Sequence, residues 1–92
     1  MNYFNWNNQK NQILKRERAI SFEEVVLLIQ SGQIIDVLEN PVKPNQKLYI
    51  LSIDDYAYVV PFVENDEEIF LKTIFPSRKF TKLYKLKGEG KR

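Results

Sequence analysis

The sequence predicts an α+β domain in which two N-terminal helices pack on a four-stranded antiparallel sheet, followed by a short basic helical turn. Two observations predict this fold class. Apolar residues recur at helical spacing before residue 32, and four apolar segments of strand-like composition follow, separated by polar or proline-containing turns. The 92 residues suffice for one small domain. We assign it to residues 1–85 and expect the glycine-containing residues 86–92 to form a flexible basic tail.

The two predicted helices are marked by different signals. Residues 7–18 are polar, with a narrow apolar stripe at three- and four-residue spacings. The second helix begins at Ser21, which forms a capping box with Glu24, because each side chain can bond a backbone N–H near the other. Gly32 ends this helix, since glycine readily adopts the left-handed conformation of a helix C-terminus.

The strands follow as a meander of β-branched and aromatic segments. The predicted strands are residues 33–38, 47–53, 56–63 and 68–75, and residues 39–46 form an exposed loop. Pro61 cannot donate to a ladder, which predicts an edge position or a bulge near the end of its strand. Pro76 ends the last strand. At the N-terminus, the aromatic residues Tyr3, Phe4 and Trp6 predict an extended arm or short strand that packs on the core.

Both faces of the last two strands are apolar. In the last strand, alternation places Ile69, Leu71 and Phe75 on one face and Phe70, Lys72 and Ile74 on the other. Two short helices can cover only one face of such a sheet. Either a partner covers the other face, because monomers rarely expose large apolar patches, or the N-terminal arm and the C-terminal turn cover it.

The composition excludes several kinds of site. There is no cysteine and no histidine, so disulfides, thiolate metal sites and the commonest general base are excluded. We predict no metal and no cofactor. The polar-aromatic N-terminus does not resemble a signal peptide, and the apolar runs are far shorter than the roughly 20 residues that span a bilayer. We therefore expect a soluble, cytoplasmic protein.

The net charge of +2 conceals a strong asymmetry. Residues 1–68 contain 6 Lys and Arg against 11 Asp and Glu, a net charge of −5. Residues 69–92 contain 8 Lys and Arg against one Glu, a net charge of +7. A basic end on an otherwise acidic domain favours a phosphate-binding surface. The alternative interpretation is a solvated basic tail.

Cations and aromatic residues alternate in this basic end. They are Phe70, Lys72, Arg78, Lys79, Lys82 and Tyr84. Such a mixture suits single-stranded nucleic acid, because cations neutralise phosphates while aromatic rings stack on bases.

Three short motifs resemble those of the BrnT family of bacterial toxins, in the same order and at similar spacing. They are Phe4-Asn5-Trp6 with Lys10, Ile20-Ser21-Phe22-Glu23-Glu24-Val25, and Pro76-Ser77-Arg78-Lys79-Phe80-Thr81. The resemblance covers roughly residues 4–84. The sequence departs from the family in three places: Glu17-Arg18-Ala19 replaces a histidine-containing segment, Leu14 replaces an asparagine, and Thr73 replaces a basic residue that has Lys72 beside it.

The resemblance implies a RelE-like fold, with two helices before a four-stranded antiparallel sheet. It implies the toxin of a type II toxin–antitoxin system, a ribonuclease that cleaves RNA and blocks translation. The implied partner is a cognate antitoxin with a ribbon-helix-helix domain, and operator DNA is bound only through that antitoxin.

Candidate roles follow from what RNA cleavage by the 2′-hydroxyl requires: a base, an acid and stabilisation of the phosphorane. Arg78 is the candidate for holding the phosphate, because its planar fork binds two oxygens and stays charged. Lys72 or Lys79 is the candidate base or acid, since neighbouring positive charges favour the neutral amine. Tyr84 stacks on a base or donates a proton. Lys82 and Phe70 are assigned to RNA binding. The alternative functions are a non-catalytic nucleic-acid-binding module and a protein-interaction domain.

Overall fold

Six strands and three helices occur in residues 3–88, the part of the chain that the computed structural model describes. In chain order they are β1 (Tyr3–Asn5), α1 (Asn8–Arg18), α2 (Phe22–Gln30), β2 (Ile34–Glu39), β3 (Lys47–Ile53), β4 (Tyr56–Glu64), β5 (Glu68–Leu71), β6 (Phe75–Pro76) and α3 (Arg78–Leu83). The α+β class, the two N-terminal helices and the short basic helix are confirmed.

The sheet differs from the predicted one. Its strand order is β1-β5-β4-β3-β2, and β6 pairs with β4. The strands β2 to β5 are antiparallel neighbours as predicted, but β1 lies parallel to β5, with Tyr3 opposite Glu68. The prediction of a purely antiparallel, four-stranded sheet is therefore wrong. A three-residue segment is too short for its sequence pattern to specify a parallel partner more than sixty residues away.

The sixth strand arises because the predicted strand over residues 68–75 is interrupted. β5 and β6 both pair with β4, in registers that differ by one residue. The backbone N–H of Lys72 donates to the carbonyl of Pro61 over 2.8 Å, and Pro61 has no N–H with which to return the bond. The ladder loses a hydrogen bond at this point, and the chain bulges after it. The prediction that Pro61 lies at an edge or in a bulge is wrong. β4 is the central strand, and its register with β3 is continuous. The irregularity lies in the neighbouring segment after β5.

This bulge reverses the predicted faces of Ile74 and Phe75. Ile74 is fully buried in the same core as Leu71, and Phe75 lies opposite Val59 on the other side of the sheet. The expectation that Phe75 shares a face with Leu71, and Lys72 with Ile74, is wrong. Alternation predicts faces only where the register is continuous, and one extra residue inverts every position beyond it.

The face of the sheet beneath α1 and α2, called here the two-helix face, carries the larger core. Its side chains include Phe22, which is fully buried and stacks on Trp6 with ring centroids 5.7 Å apart. The buried members are Leu14, Ile20, Phe22, Val25, Tyr49, Leu51, Ile53, Tyr58, Val60, Phe62, Leu71 and Ile74. Ser21 begins α2 as predicted, because its hydroxyl accepts from the Glu24 N–H over 3.1 Å. Gly32 has the expected positive φ of 74°.

A buried asparagine joins the two helices of this layer. The side-chain oxygen of Asn11, Oδ1, accepts from the Phe22 backbone N–H over 2.8 Å, and its side-chain NH₂ group donates to Glu23 Oε1 over 2.7 Å. The first of these bonds satisfies one of the free N–H groups at the start of α2. This bond and the ion pair between Lys15 Nζ and Glu23 Oε2 at 3.6 Å hold α2 at a defined position on α1.

The opposite face, called here the α3 face, is covered in part by α3. Phe80, Tyr84 and Leu86 pack on a second core formed by Leu48, Ile50, Ala57 and Val59. The hydroxyl of Thr81, a buried residue, accepts from the Ala57 N–H over 2.9 Å and donates to the Ser77 carbonyl over 2.7 Å. The C-terminal turn thus covers part of the second apolar face, and the N-terminal arm joins the sheet edge instead of lying over it.

The start of the predicted tail is attached to this layer. The Leu86 N–H donates to the Thr81 carbonyl and the Gly88 N–H to the Asp55 carbonyl, both over 2.9 Å. The rest of that predicted segment, residues 89–92, lies outside the described part of the chain.

Candidate nucleic-acid interface

The cations of α3 lie on the outer side of a firmly attached helix. Ser77 begins α3, because its hydroxyl accepts from the Phe80 N–H over 3.2 Å. With Phe80 and Thr81 directed to the sheet, the helical period directs the neighbouring positions outward. Arg78, Lys79 and Lys82 are accordingly all exposed. The structure thus places three of the predicted residues on one short helix.

These three positive charges are not neutralised by ion pairs within the described residues. The ion pairs between described side chains join Lys15 to Glu23 and Lys47 to Glu64, each at 3.6 Å, on other elements. Lys79 instead lies over the Phe80 ring, with its Nζ atom 5.8 Å from the ring centroid. A cation on an aromatic ring keeps its full charge for an incoming anion.

Lys72 and Phe70, two residues apart at the end of β5, form a second group of predicted residues. The Lys72 Nζ atom lies 5.3 Å from the centroid of the Phe70 ring. Residues two apart on a strand share a face, so the sequence spacing accounts for this contact. The contact holds the Lys72 ammonium group at the edge of the sheet, in an exposed position.

Beside Lys72, the α3 face contains an open groove, called here the Phe75 groove, with a volume of about 450 Å³. It occupies the part of the α3 face that α3 leaves uncovered, and Leu48 of the second core lines it. One side is formed by the β2–β3 loop and the other by the bulged segment after β5. The lining residues are Asn40, Lys43, Gln46, Leu48, Pro61, Lys72, Thr73 and Phe75.

A second groove, called here the Phe70 groove, lies between β5 and the start of α1 and also measures about 450 Å³. Its lining residues are Asn7, Gln9, Lys10, Ile13, Phe70 and Lys72. Lys72 lines both grooves, so they adjoin at its side chain. The two grooves together bring Lys10, Lys72 and Lys43 to one continuous surface that also contains Phe70 and Phe75.

Tyr84 has a different environment from the other predicted residues. Its hydroxyl donates to the Asp36 carboxylate over 2.8 Å, and its ring stacks on Phe80 with centroids 6.1 Å apart. The hydrogen bond to Asp36, followed by partial burial, raises the pKa of Tyr84 above its ordinary value. Its hydroxyl therefore holds its proton more firmly, and in this position it fastens the end of α3 to β2.

The predicted residues consequently form three groups instead of one cluster. Asp36 lies on β2 and Lys72 follows β5, three strand spacings away, or about 14 Å. The backbone of Lys72 lies opposite Pro61 on β4. Pro76, just before α3, lies opposite Tyr58, which is three residues along β4 from Pro61. The backbones of Lys72 and Pro76 are therefore about 10 Å apart. The backbone positions of Lys72 and the α3 cations are therefore far enough apart for an extended RNA strand to contact them through different phosphates.

Most of the lining residues are not among the sequence-based candidates, and Lys10, Lys43, Gln46 and Phe75 are those that bear on binding. Lys10 occurs in one of the family-like motifs, which is the only sequence signal that indicated it. Lys43 and Gln46 belong to a loop with two prolines, where no periodicity predicts a direction. Phe75 was assigned to the wrong face because the bulge was not foreseen.

Within residues 3–88, no group of three or more Asp or Glu side chains is placed to hold a metal ion. Over the same range, none of the helices combines the length and the apolar composition needed to cross a membrane.

Comparison with known proteins identifies no relative. No protein-family model matches the chain. No curated protein matches it either, and neither does any solved structure. The likeness to BrnT toxins therefore depends on the short motifs of residues 4–81 alone.

Proposed function

We propose that this chain is an RNA-directed toxin of the BrnT kind, a cytoplasmic ribonuclease that blocks translation. The observation that supports this proposal is the exposure of Arg78, Lys79 and Lys82 on a helix whose other side is anchored in the sheet. Exposed cations on an anchored helix, without ion-pair partners among the described residues, favour polyanion binding, because no ion pair has to be broken first.

In the proposed reaction, the 2′-oxygen of a ribose attacks the adjacent phosphorus and the bond from phosphorus to the 5′-oxygen breaks. The proton of the 2′-hydroxyl passes to a base and another proton passes to the leaving 5′-oxygen, giving a 2′,3′-cyclic phosphate and a 5′-hydroxyl. Arg78 holds the phosphate and stabilises its added negative charge. Lys79, one residue along the same exposed helix, is the candidate for proton transfer, and Lys72 and Lys82 bind neighbouring phosphates.

A second candidate function is RNA binding without cleavage. The observation that favours it is the separation of the predicted catalytic groups. The Tyr84 hydroxyl bonds to Asp36, and the backbone of Lys72 lies about 10 Å or more from the start of α3. A binding protein needs only that these cations follow one RNA path, whereas a nuclease needs at least two of them at one phosphate.

The resemblance also motivates a proposed partner, a small antitoxin with a ribbon-helix-helix domain that neutralises the toxin and contacts operator DNA. A short reading frame beside the gene that encodes such a domain, and whose product forms a complex with this chain on co-expression, would support this part of the proposal. A neighbour of another class, or no complex, would contradict it.

The experiment is induced expression in bacteria of the wild-type chain, Arg78→Ala and Arg16→Ala. Arg16 is an exposed arginine of α1, so its replacement removes the same charge from a different helix. We expect the wild type and Arg16→Ala to stop growth and Arg78→Ala to lose this effect while keeping its fold and antitoxin binding. Full toxicity of Arg78→Ala would remove Arg78 from the mechanism.

Purified protein and labelled RNA separate the two candidate functions. Cleavage products ending in a 2′,3′-cyclic phosphate would support the nuclease. Salt-sensitive binding without cleavage would support the binding protein. No RNA affinity even at low salt would contradict both and favour a protein-interaction domain.

A further inference from the structure

The Phe75 groove has the form of a small-molecule site. Its floor is apolar, formed by Leu48 and Pro61, which are both buried. Phe75 forms a wall and remains 37% exposed, so its ring is available to a ligand. The volume of about 450 Å³ lies within the range of roughly 300–1,000 Å³ typical of ligand sites.

The charge of the groove selects anions. Lys43 enters from the β2–β3 loop and Lys72 from the bulged segment, and both are exposed. None of the lining residues is acidic. In a chain with nearly balanced charges overall, a groove with two cations and no carboxylate attracts a negatively charged group.

The loop that carries Lys43 is held in place by its own hydrogen bonds. The side-chain oxygen of Asn40, Oδ1, accepts from the backbone N–H groups of Val42 and Lys43 over 3.0 and 3.2 Å. The Asn40 N–H donates to the Gln46 carbonyl over 3.1 Å, which closes the loop. The Asn40 amide also donates to Gln46 Oε1 over 3.3 Å, so the NH₂ group of Gln46 remains available as a donor toward the groove.

We propose that the Phe75 groove binds one nucleotide unit of RNA, an inference that rests on the proposed RNA-directed function and specifies where its substrate is held. The base lies against Phe75 and the apolar floor, where stacking requires no particular base. The Gln46 amide donates to an oxygen or ring nitrogen on the edge of the base. Lys43 and Lys72 bind the phosphates on either side.

The position of Lys72 defines a path for the RNA strand from one groove to the other. Because Lys72 lines both grooves, a phosphate bound there connects a nucleotide in the Phe75 groove to the next one in the Phe70 groove. Lys10 lines the far side of that second groove. One side of the Phe70 ring is already covered by Lys72, so Phe75 is the stacking surface for the bound base.

The experiment is a ¹H–¹⁵N NMR titration of the full chain with adenosine and uridine 5′-monophosphates, ribose 5-phosphate and a short single-stranded RNA. We expect both mononucleotides and the RNA to shift the amide signals of Leu48, Thr73 and Phe75. Ribose 5-phosphate lacks a base and should bind at least about fivefold more weakly. Equal binding of ribose 5-phosphate, or shifts confined to α3, would contradict a base site in the groove.

Three variants test the assigned residues. Phe75→Ala and Lys43→Gln should each weaken mononucleotide binding at least about fivefold, and Phe75→Leu, which keeps an apolar side chain without a ring, should weaken it to a similar extent. Arg16→Gln removes a positive charge outside the groove and should change binding less than twofold. Unchanged mononucleotide and RNA affinity in the Phe75 and Lys43 variants, with dispersed spectra showing that they fold, would overturn the proposal.

The two proposals fail in different ways. If RNA is neither bound nor cleaved while mononucleotides still shift the groove amides, the RNA-directed function is wrong and the nucleotide site is a site for free nucleotides. If RNA is bound through Arg78 but the groove amides do not move, the groove proposal is wrong and the RNA-directed function stands.

Discussion

On the two-helix face, α1 and α2 cover the sheet and bury twelve core residues, whereas on the α3 face a six-residue helix covers a smaller core of four buried residues. Both faces are apolar in sequence. The difference is in how much chain is available to cover them, and the uncovered part of the α3 face is where the Phe75 groove lies.

The two faces also differ in charge. α1 and α2 together carry four Lys and Arg against three Glu, and Glu23 is ion-paired to Lys15, whereas α3 carries three cations and no acidic residue. The α3 face and its edge also present Lys43 and Lys72 to solvent. The two-helix face therefore serves stability, and the α3 face, only partly covered, is the one available for binding. Three pairs of substitutions test this division.

The largest effect is expected for Phe22→Ala on the two-helix face. Phe22 is fully buried and stacked on Trp6, so its truncation should lower the free energy of unfolding by about 3–5 kcal/mol. Phe75→Ala on the α3 face removes a partly exposed ring and should cost about 1–2 kcal/mol. Urea denaturation followed by circular dichroism measures both. Similar losses in the two variants would contradict the proposed division between the faces.

A smaller loss is expected for Asn11→Ala. The variant leaves the Phe22 N–H without its side-chain acceptor and should cost about 1–3 kcal/mol. Asn8→Ala, an exposed position of the same helix, is the control and should change stability by about 0.5 kcal/mol or less. If the two substitutions had equal effects, the Asn11 bond would not be what fastens α2 to α1.

Asn11 should also affect the acid dependence of stability. Its hydrogen bond is the main cause that lowers the pKa of Glu23 below the ordinary 4.5, with smaller contributions from Glu23's own backbone N–H and from Lys15. A carboxyl whose pKa is lower in the folded state contributes stability above its unfolded pKa, and this contribution disappears as the pH falls through the folded value. We expect Asn11→Ala to lose less stability than the wild type on acidification.

The smallest effect is expected for Tyr84→Phe, which removes the hydrogen bond between α3 and β2. It should cost about 0.5–1.5 kcal/mol near neutral pH. Because the pKa of Tyr84 is raised in the folded state, its contribution is complete below the unfolded pKa of about 10 and decreases as the pH rises toward the folded value. The variant should therefore lose less stability than the wild type between about pH 9 and 11.

Tyr3→Phe is the control for this measurement, because Tyr3 is 74% exposed. Some alkaline loss should persist in Tyr84→Phe, since burial and, to a smaller extent, Glu64 also raise the pKa of Tyr49. An alkaline profile identical to that of the wild type would contradict a role for the Tyr84–Asp36 bond in holding α3.

The elements with local signals were the predictable ones. The capping Ser21 marked the start of α2, and the predicted strands 47–53 and 56–63 match β3 and β4 to within one residue. Part of the candidate site was predictable for the same reason. Lys72 and Phe70 are two residues apart on a strand, and the exposure of Arg78 and Lys79 follows from a helix that begins at Ser77.

The α+β class, the two helices, the antiparallel hairpins and the basic C-terminal surface follow from the sequence alone, because each depends on periodicity, turn residues or charge within a short segment. Long-range packing is needed to specify the parallel pairing of β1, the bond from Tyr84 to Asp36 across 48 residues, and the presence of both Lys43 and Lys72 in the Phe75 groove. Pro61 is evident in the sequence, but the sequence does not show which neighbouring segment lacks a hydrogen bond because proline has no N–H. The register of β4 with both neighbours places this gap at Lys72. The bulge that follows puts Phe75 at the wall of a groove instead of in the core.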